Sequence, residues 1–273
     1  MNLVCIGAHP DDAEFYAGGT MVQCARAGHR VLMVSLTNGD IGHHEMAGGT
    51  LAQRRAAEAR LSAERAGVRS RILDIHDGEL LPTLETRRPV VKQIREWNAD
   101  VVISHRPWDY HPDHRYAAIA VQDAAFMVTV PYFCPEAPAL RRNPIFLYMM
   151  DKFTKPIPFK PDIAIVVDSV MDVKWSMLDA MESQFYEWLP WLEGALDAVP
   201  KTPAARREWL EMILTPFFLE PAQSARAALE QWYGEAAAKD VRYAELFEVC
   251  EYGRQPKPDE ILEIFPFLPK KKQ

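Results

Sequence analysis

Residues 2–36 read NLVCIGAHPDDAEFYAGGTMVQCARAGHRVLMVSL. Residues 2–7 (NLVCIG) form a short apolar run closed by Gly, the pattern of a strand buried on both faces. Residues 16–28 fit a helix ended by Gly28, and residues 30–36 (RVLMVSL) are a second buried-strand run. Strand, helix, strand in so short a stretch predicts a βαβ unit with parallel strands and a right-handed crossover.

The alternation continues outward. Residues 48–66, rich in Ala, Arg and Glu, predict a helix ended by Gly67. Residues 70–75 (SRILDI) predict a third strand, and 88–97 a helix with Val90, Val91, Ile94 and Trp97 on one face. Residues 100–104 (DVVIS) are a fourth strand, and 112–126 a helix with Pro112 in its first turn. The expected fold is α/β: a Rossmann-like, doubly wound, mostly parallel sheet with helices on both faces. Later strands are expected at 145–150 and 163–167, with a helix from about 170 to 187. Beyond that the text is helical and Trp-rich (203–214, 221–239), then punctuated by Pro (256–269). Residues 1–273 are therefore read as a single domain, with 190–273 as a mainly helical C-terminal extension. The closing KKKQ reads as a solvated end.

Composition narrows the function classes. Of 273 residues, 48% are hydrophobic and 25% charged, which excludes a disordered or collagen-like chain. The net charge of −7 argues against a nucleic-acid partner, which selects a basic excess. Cys5, Cys24, Cys134 and Cys250 are widely spaced, without the Cys-x-x-Cys of a zinc ribbon, and read as buried thiols. No apolar stretch reaches the length of a membrane span, and no signal peptide is legible, so the expected location is the cytoplasm.

Three of the eight histidines fall in two tight clusters: Ala8-His9-Pro10-Asp11-Asp12-Ala13-Glu14 after the first strand, and Asp109-Tyr110-His111-Pro112-Asp113-His114-Arg115 after the fourth. In open α/β sheets, ligands bind beyond the carboxyl ends of the strands, where the strand order reverses. In the common Rossmann order the first and fourth strands are neighbours at that point, so the clusters face one another across one crevice. His and carboxylate donors suit a catalytic zinc with three protein ligands and one open position. Two histidines and an aspartate supply the ligands, and a carboxylate and a histidine are left over for acid–base work. Rival signatures are absent: no G-x-G-x-x-G follows the first strand, and there is no Walker A, His-Glu-x-x-His or G-x-S-x-G. Gly18-Gly19 reads as close helix packing. His43-His44-Glu45 reads as a polar loop over the crevice, with a second metal site as the alternative. His29 reads as a helix-end residue; His76 and His105 read as strand-end packing or hydrogen-bonding residues.

The two clusters resemble the signatures of the LmbE-like, or PIG-L, zinc-dependent de-N-acetylases. Gly18-Gly19-Thr20, Thr37-Asn38-Gly39-Asp40, Arg55-Ala56-Ala57-Glu58-Ala59, Asp77-Gly78-Glu79-Leu80 and Ser183-Gln184-Phe185 resemble further segments of that family, over about residues 2–190. The resemblance implies that His9, Asp12 and His114 bind zinc, or Fe2+ or Co2+ in the same site. Asp11 is then the general base. A protonated His111 holds the oxyanion or helps the amine leave. Arg55, Asp77 and Tyr110 contact substrate, Asp40 shapes the pocket floor, and Asp113 and Glu14 support the site from behind. The implied reaction removes acetyl from an N-acetylated amino sugar or glycoconjugate, with homo-oligomers common among relatives. A different amide, such as a thiol conjugate, or a non-catalytic metal- or sugar-binding relative are the alternatives. Met181 and the His43-His44 loop depart from the family pattern and bear on substrate choice.

Overall fold

Strand β1 (Asn2–Gly7) pairs in parallel with β2 (Arg30–Thr37) on one side and β4 (Val101–Ser104) on the other. β3 (Arg69–Ile75) adds in parallel outside β2, and β5 (Ile145–Met149) outside β4. β6 (Ile163–Val166) and β7 (Ala244–Gly253) complete a sheet of order β3-β2-β1-β4-β5-β7-β6. This computed structural model describes residues 1–269; the closing KKKQ lies outside the described residues.

Alternation along the strands builds the two faces. Leu3, Cys5, Met33 and Ile103 pack into one core with Ala17, Met21, Ala59 and Trp175. Val4, Ile6, Leu32, Val34 and Val102 pack into the other with Val90, Ile94, Ala117 and Val121. The first core lies under α1 (Asp12–Arg26), α2 (Gly49–Ala66) and α5 (Met171–Asp179). The second lies under α3 (Leu84–Glu96) and α4 (Pro112–Met127). After α5 come α6 (Leu189–Leu192), α7 (Pro203–Ser224), α8 (Arg226–Tyr233), α9 (Glu235–Ala238) and α10 (Pro258–Ile264). None of the described helices is long and apolar enough to cross a membrane. All four cysteines are buried free thiols.

Two expectations are corrected. The helix expected over 170–187 is interrupted: α5 ends at Asp179, and Ser183–Trp188 forms a π-helical turn. Its Ser183 is held by Glu58 of α2, whose carboxylate accepts both the Ser183 N–H, at 3.0 Å, and its hydroxyl, at 2.5 Å. The segment after 190 adds a strand that the reading of 190–273 as mainly helical did not contain. β7 enters the sheet between β5 and β6, antiparallel to both, which makes the sheet mixed. Its Leu246, Phe247 and Cys250 are buried in the core.

Candidate metal and active site

Where β1 ends, the chain turns through Ala8-His9-Pro10-Asp11 into α1. Asp12 ties that turn down: its Oδ2 accepts the N–H groups of Ala8 and His9, both at 2.8 Å, and stands 3.0 Å from His105 Nε2. That oxygen is saturated, and Oδ1 turns to His114 Nε2 at 3.3 Å. Burial opposes the charge on Asp12, but His114 and His105 outweigh it and hold the carboxyl well below its ordinary value.

The second cluster approaches from β4, as the strand order requires. His111 caps α4, its Nδ1 accepting the Asp113 N–H at 3.2 Å. Asp113 is fully buried and accepts the N–H groups of Gly78 (2.7 Å) and Leu80 (3.3 Å), which brings the Asp77 loop into the site. His9 Nε2 lies 3.1 Å from Asp77 Oδ1 and 3.3 Å from Asp113 Oδ2. His114 Nδ1 lies 3.2 Å from Asp109 Oδ2. Each outer ring nitrogen thus faces a carboxylate, which fixes the tautomer and turns the lone pair of the other nitrogen inward.

Those inward nitrogens, His9 Nδ1 and His114 Nε2, stand 3.2 Å apart. Two lone pairs at that distance repel unless a cation lies between them. The Asp12 carboxylate joins them, 3.3 Å from the His114 nitrogen and 3.7 Å from the His9 nitrogen. A tetrahedral zinc with bonds of about 2.0–2.1 Å spaces its ligand atoms at about 3.3 Å, so the donor set fits. The surrounding charge agrees. Burial works against a charged ring, yet Asp113, Asp77 and Asp12 push His9 up to about 9, and Asp12 and Asp109 push His114 up to about 10. Three overlapping groups of donors lie within metal-binding reach: His9 with His111 and His114, Asp12 with His105 and His114, and His9 with Asp77 and Asp113.

Asp11 lies beside this cradle, with Oδ1 3.6 Å from Arg55 Nη2. Burial raises its carboxyl and Arg55 works against that rise. Arg55 is itself buried and donates to the Pro10 carbonyl at 3.2 Å. Gly39, at φ +70°, and Gly42 close over its guanidinium; a Cβ on either would come within 2.9 Å of it. Asp40 accepts from His76 Nδ1 (2.7 Å) and from the Asp77 N–H (3.1 Å). Tyr110 stands exposed at the rim, its ring 6.0 Å from that of His114. Glu14 is buried in α1, where desolvation and its neighbours Asp11 and Asp12 push it up to about 8.

The environment runs against a protonated His111. Burial and the neighbouring His9 and His114 rings lower its pKa. With Nδ1 accepting from the backbone, the neutral ring carries its proton on Nε2 and remains a donor. Sequence reasoning gave two residues no part in the site. His105, read as a strand-end packing or hydrogen-bonding residue, does both within it: its ring stacks on His114 at 4.3 Å and its Nε2 reaches Asp12. Asp109 was quoted in the second cluster without a role. The signal for both was position, immediately beyond β4. His43 and His44 form no metal set: their rings stack at 4.5 Å instead of converging. His29 accepts from the Met1 amine at Nδ1 and donates from Nε2 to the Ile264 carbonyl, away from the site.

A family model described as PIG-L: GlcNAc-PI de-N-acetylase matches residues 4–125. A diacetylchitobiose deacetylase of Thermococcus kodakarensis is 32% identical over 205 residues, covering 70% of this chain and 74% of the relative. A 4-oxalmesaconate hydratase of Pseudomonas putida is 24% identical over 191 residues, covering 67% and 74%. Among solved structures, GalB, the 4-carboxy-2-hydroxymuconate hydratase of Pseudomonas putida, superposes with a TM-score of 0.73 at 21% identity, covering 94% of this chain and 99% of that one. The N,N'-diacetylchitobiose deacetylase of Pyrococcus horikoshii superposes with a TM-score of 0.67 at 24% identity, covering 94% and 87%.

Proposed function

The chain belongs to the PIG-L, or LmbE-like, family, and from that premise we propose that it is a zinc-dependent deacetylase acting on an N-acetylated amino sugar of the N-acetylglucosamine type. The observation that carries the proposal is the meeting of His9, Asp12 and His114 beside a half-buried Asp11. His9, Asp12 and His114 would hold the ion, with Fe2+ or Co2+ suited to the same donors. When bound, such an ion polarises the acetamide carbonyl and acidifies a water.

The chain's own groups do the rest. Asp11 takes a proton from the attacking water, whose oxygen bonds to the acetyl carbon. His111 donates from Nε2 to the carbonyl oxygen as negative charge grows there. The C–N bond then breaks, and Asp11 returns its proton to the nitrogen, leaving acetate and a free amine. Arg55 serves this step by holding Asp11, since it is too buried to meet a sugar freely. Asp109 and Asp113 keep the His114 and His9 rings turned inward. Tyr110, exposed at the rim, is left to meet the sugar, while Asp77, buried like Arg55, faces His9. We further propose that residues 1–273 form one domain, which the insertion of β7 into the sheet supports.

The test is acetate release from N-acetylglucosamine and N,N'-diacetylchitobiose by zinc-loaded protein, with Asp11→Asn alongside. The expected result is release that falls by about 10²–10⁴-fold in the variant at equal metal content. An unchanged rate in Asp11→Asn overturns the mechanism. The hydratase relative defines the competing outcome: no acetate from either sugar, but turnover of 4-oxalmesaconate.

A further inference from the structure

His105 is the first residue beyond β4. Ile6 lies opposite Ser104 in the register, so His105 comes out beside the end of β1, where the chain turns toward Asp12. Its ring is buried and stacked on His114, with ring centres 4.3 Å apart and planes 7° from parallel. Tyr16 meets it nearly at right angles, at 6.0 Å, from one turn beyond Asp12 on the same side of α1. By distance alone His105 is a candidate ligand, since it shares a donor group with Asp12 and His114. Ring geometry argues against that role. The lone pair of a ring nitrogen lies in the plane of its ring, and stacked rings hold their lone pairs in parallel planes. An ion about 2.0–2.1 Å from the nitrogen of one ring, in that ring's plane, lies well out of the plane of the other. His105 and His114 therefore do not converge on one ion.

The nitrogen is turned to a carboxylate instead. His105 Nε2 stands 3.0 Å from Asp12 Oδ2. The Ala8 N–H is 3.3 Å from that nitrogen but 2.8 Å from the oxygen, and donates to the oxygen. A carboxylate oxygen is an acceptor, so Nε2 carries the ring proton and donates it. Oδ2 then accepts three N–H groups, from Ala8, His9 and His105. An oxygen with two lone pairs has nothing left for an ion after three donors. Oδ1 is the oxygen that remains, facing His114 Nε2 at 3.3 Å.

We propose that His105 is a positioning residue of the metal centre: its donation occupies Asp12 Oδ2 and leaves Oδ1 as the single oxygen offered to the ion. This rests on the reading of His9, Asp12 and His114 as the ligands. With one oxygen from Asp12, the protein supplies three ligand atoms and a fourth position stays open for water, the arrangement of a catalytic zinc. Without His105, Oδ2 keeps only its two backbone donors, and the carboxylate is free to bring both oxygens to the ion and crowd that position. The stack adds a second hold, on the His114 ring. One side chain thereby steadies two ligands that lie 102 residues apart in the chain.

The experiment measures zinc affinity, by competition with a chromophoric chelator, and the visible absorption of cobalt-loaded protein, which reads coordination geometry. It compares wild type, His105→Gln and His105→Met; the two replacements match in length and differ in the donor. The expected result is zinc binding about 10–100-fold weaker in His105→Met, with altered cobalt bands, and both largely restored in His105→Gln. Equal loss in the two variants overturns the proposal, because a ligand or a packing group would be missed alike in both. Wild-type affinity in both overturns it as well. If metal-free His105→Met shows no cooperative melting, His105→Phe replaces it and keeps the ring without the donor. His114→Ala tests the premise separately. If it binds zinc as wild type does, the three-ligand reading fails, and the role of His105 fails with it. If His114→Ala loses zinc while His105→Met keeps wild-type affinity, the ligands stand and only the role of His105 is refuted.

Discussion

Glu245 of β7 accepts the backbone N–H of Gly19, inside α1, at 2.8 Å. Its other oxygen accepts the Thr20 N–H at 2.7 Å, and Lys174 Nζ meets the first at 2.7 Å. All of this is buried. The strand that enters the sheet last is thereby fastened to the helix whose first turn carries Asp12.

The fastening requires a glycine. A Cβ on Gly19 would stand 2.8 Å from Val167 Cβ and Cγ1 and 3.1 Å from Glu245 Oε1. Val167 and β7 are packed on other core groups and have little room to give. Gly19→Ala is expected to lose about 1–3 kcal/mol from overpacking, only partly offset by the roughly 1 kcal/mol gained in helix propensity. Calorimetry should show a melting point lower by a few degrees, at roughly 2–4 °C per kcal/mol for a chain of this size. A melting point equal to or above wild type would remove the close approach as an explanation for Gly19.

The facing nitrogens of His9 and His114 make a second prediction, about metal rather than turnover. Protein stripped with a chelator should melt earlier than protein given zinc. At a zinc concentration about 100 times the dissociation constant, the gain should be about 2.7 kcal/mol. His114→Ala should lose the zinc-dependent rise and the bound metal together. A variant that still takes up one zinc per chain with the same rise in melting point would show that the ion sits elsewhere, and the groups built on Asp77 or His105 would be the place to look.

Much of this was legible because the chemistry sits where the chain reverses direction. The clusters at 8–14 and 109–115 immediately follow β1 and β4, and parallel strands deliver such segments to the same sheet edge. What was not legible depended on pairings distant in the chain. In AELFEVCEYG the acidic Glu245 disguises a buried strand, because its partner Lys174 lies 71 residues earlier. His105 reads as a packing or hydrogen-bonding residue without a named partner until Asp12, 93 residues before it, is known to face it. The family resemblance implies a substrate contact for Arg55. Only the fold places it under Gly39 and Gly42, against Asp11. The break before the π-helical turn carried no proline or glycine to announce it; Glu58 of α2 anchors the turn's first residue.

Glu187 fastens the loop after β2 to the π-helical turn, accepting from His43 Nε2 at 2.7 Å and pairing with Arg54 at 2.6 and 2.7 Å, and this fastening can be tested by pH alone. Its hydrogen bonds to Arg54, and then to His43, lower its pKa from the ordinary 4.5. A carboxyl whose pKa falls on folding stabilises the fold above its unfolded value, and that contribution is lost as pH falls through the folded value. At pH 7 the stabilisation is fully present; below about 4 it drains away as the wild-type carboxyl takes up a proton and comes to resemble an amide. Glu187→Gln should therefore melt below wild type at pH 7, with the two curves converging toward pH 3. The group is partly exposed, so the difference should be about 1 kcal/mol or less. Calorimetry of both proteins at pH 7, 5 and 3.5 checks this. A gap that stays constant across that range would mean that Glu187 holds the loop by shape alone, and that its charge plays no part.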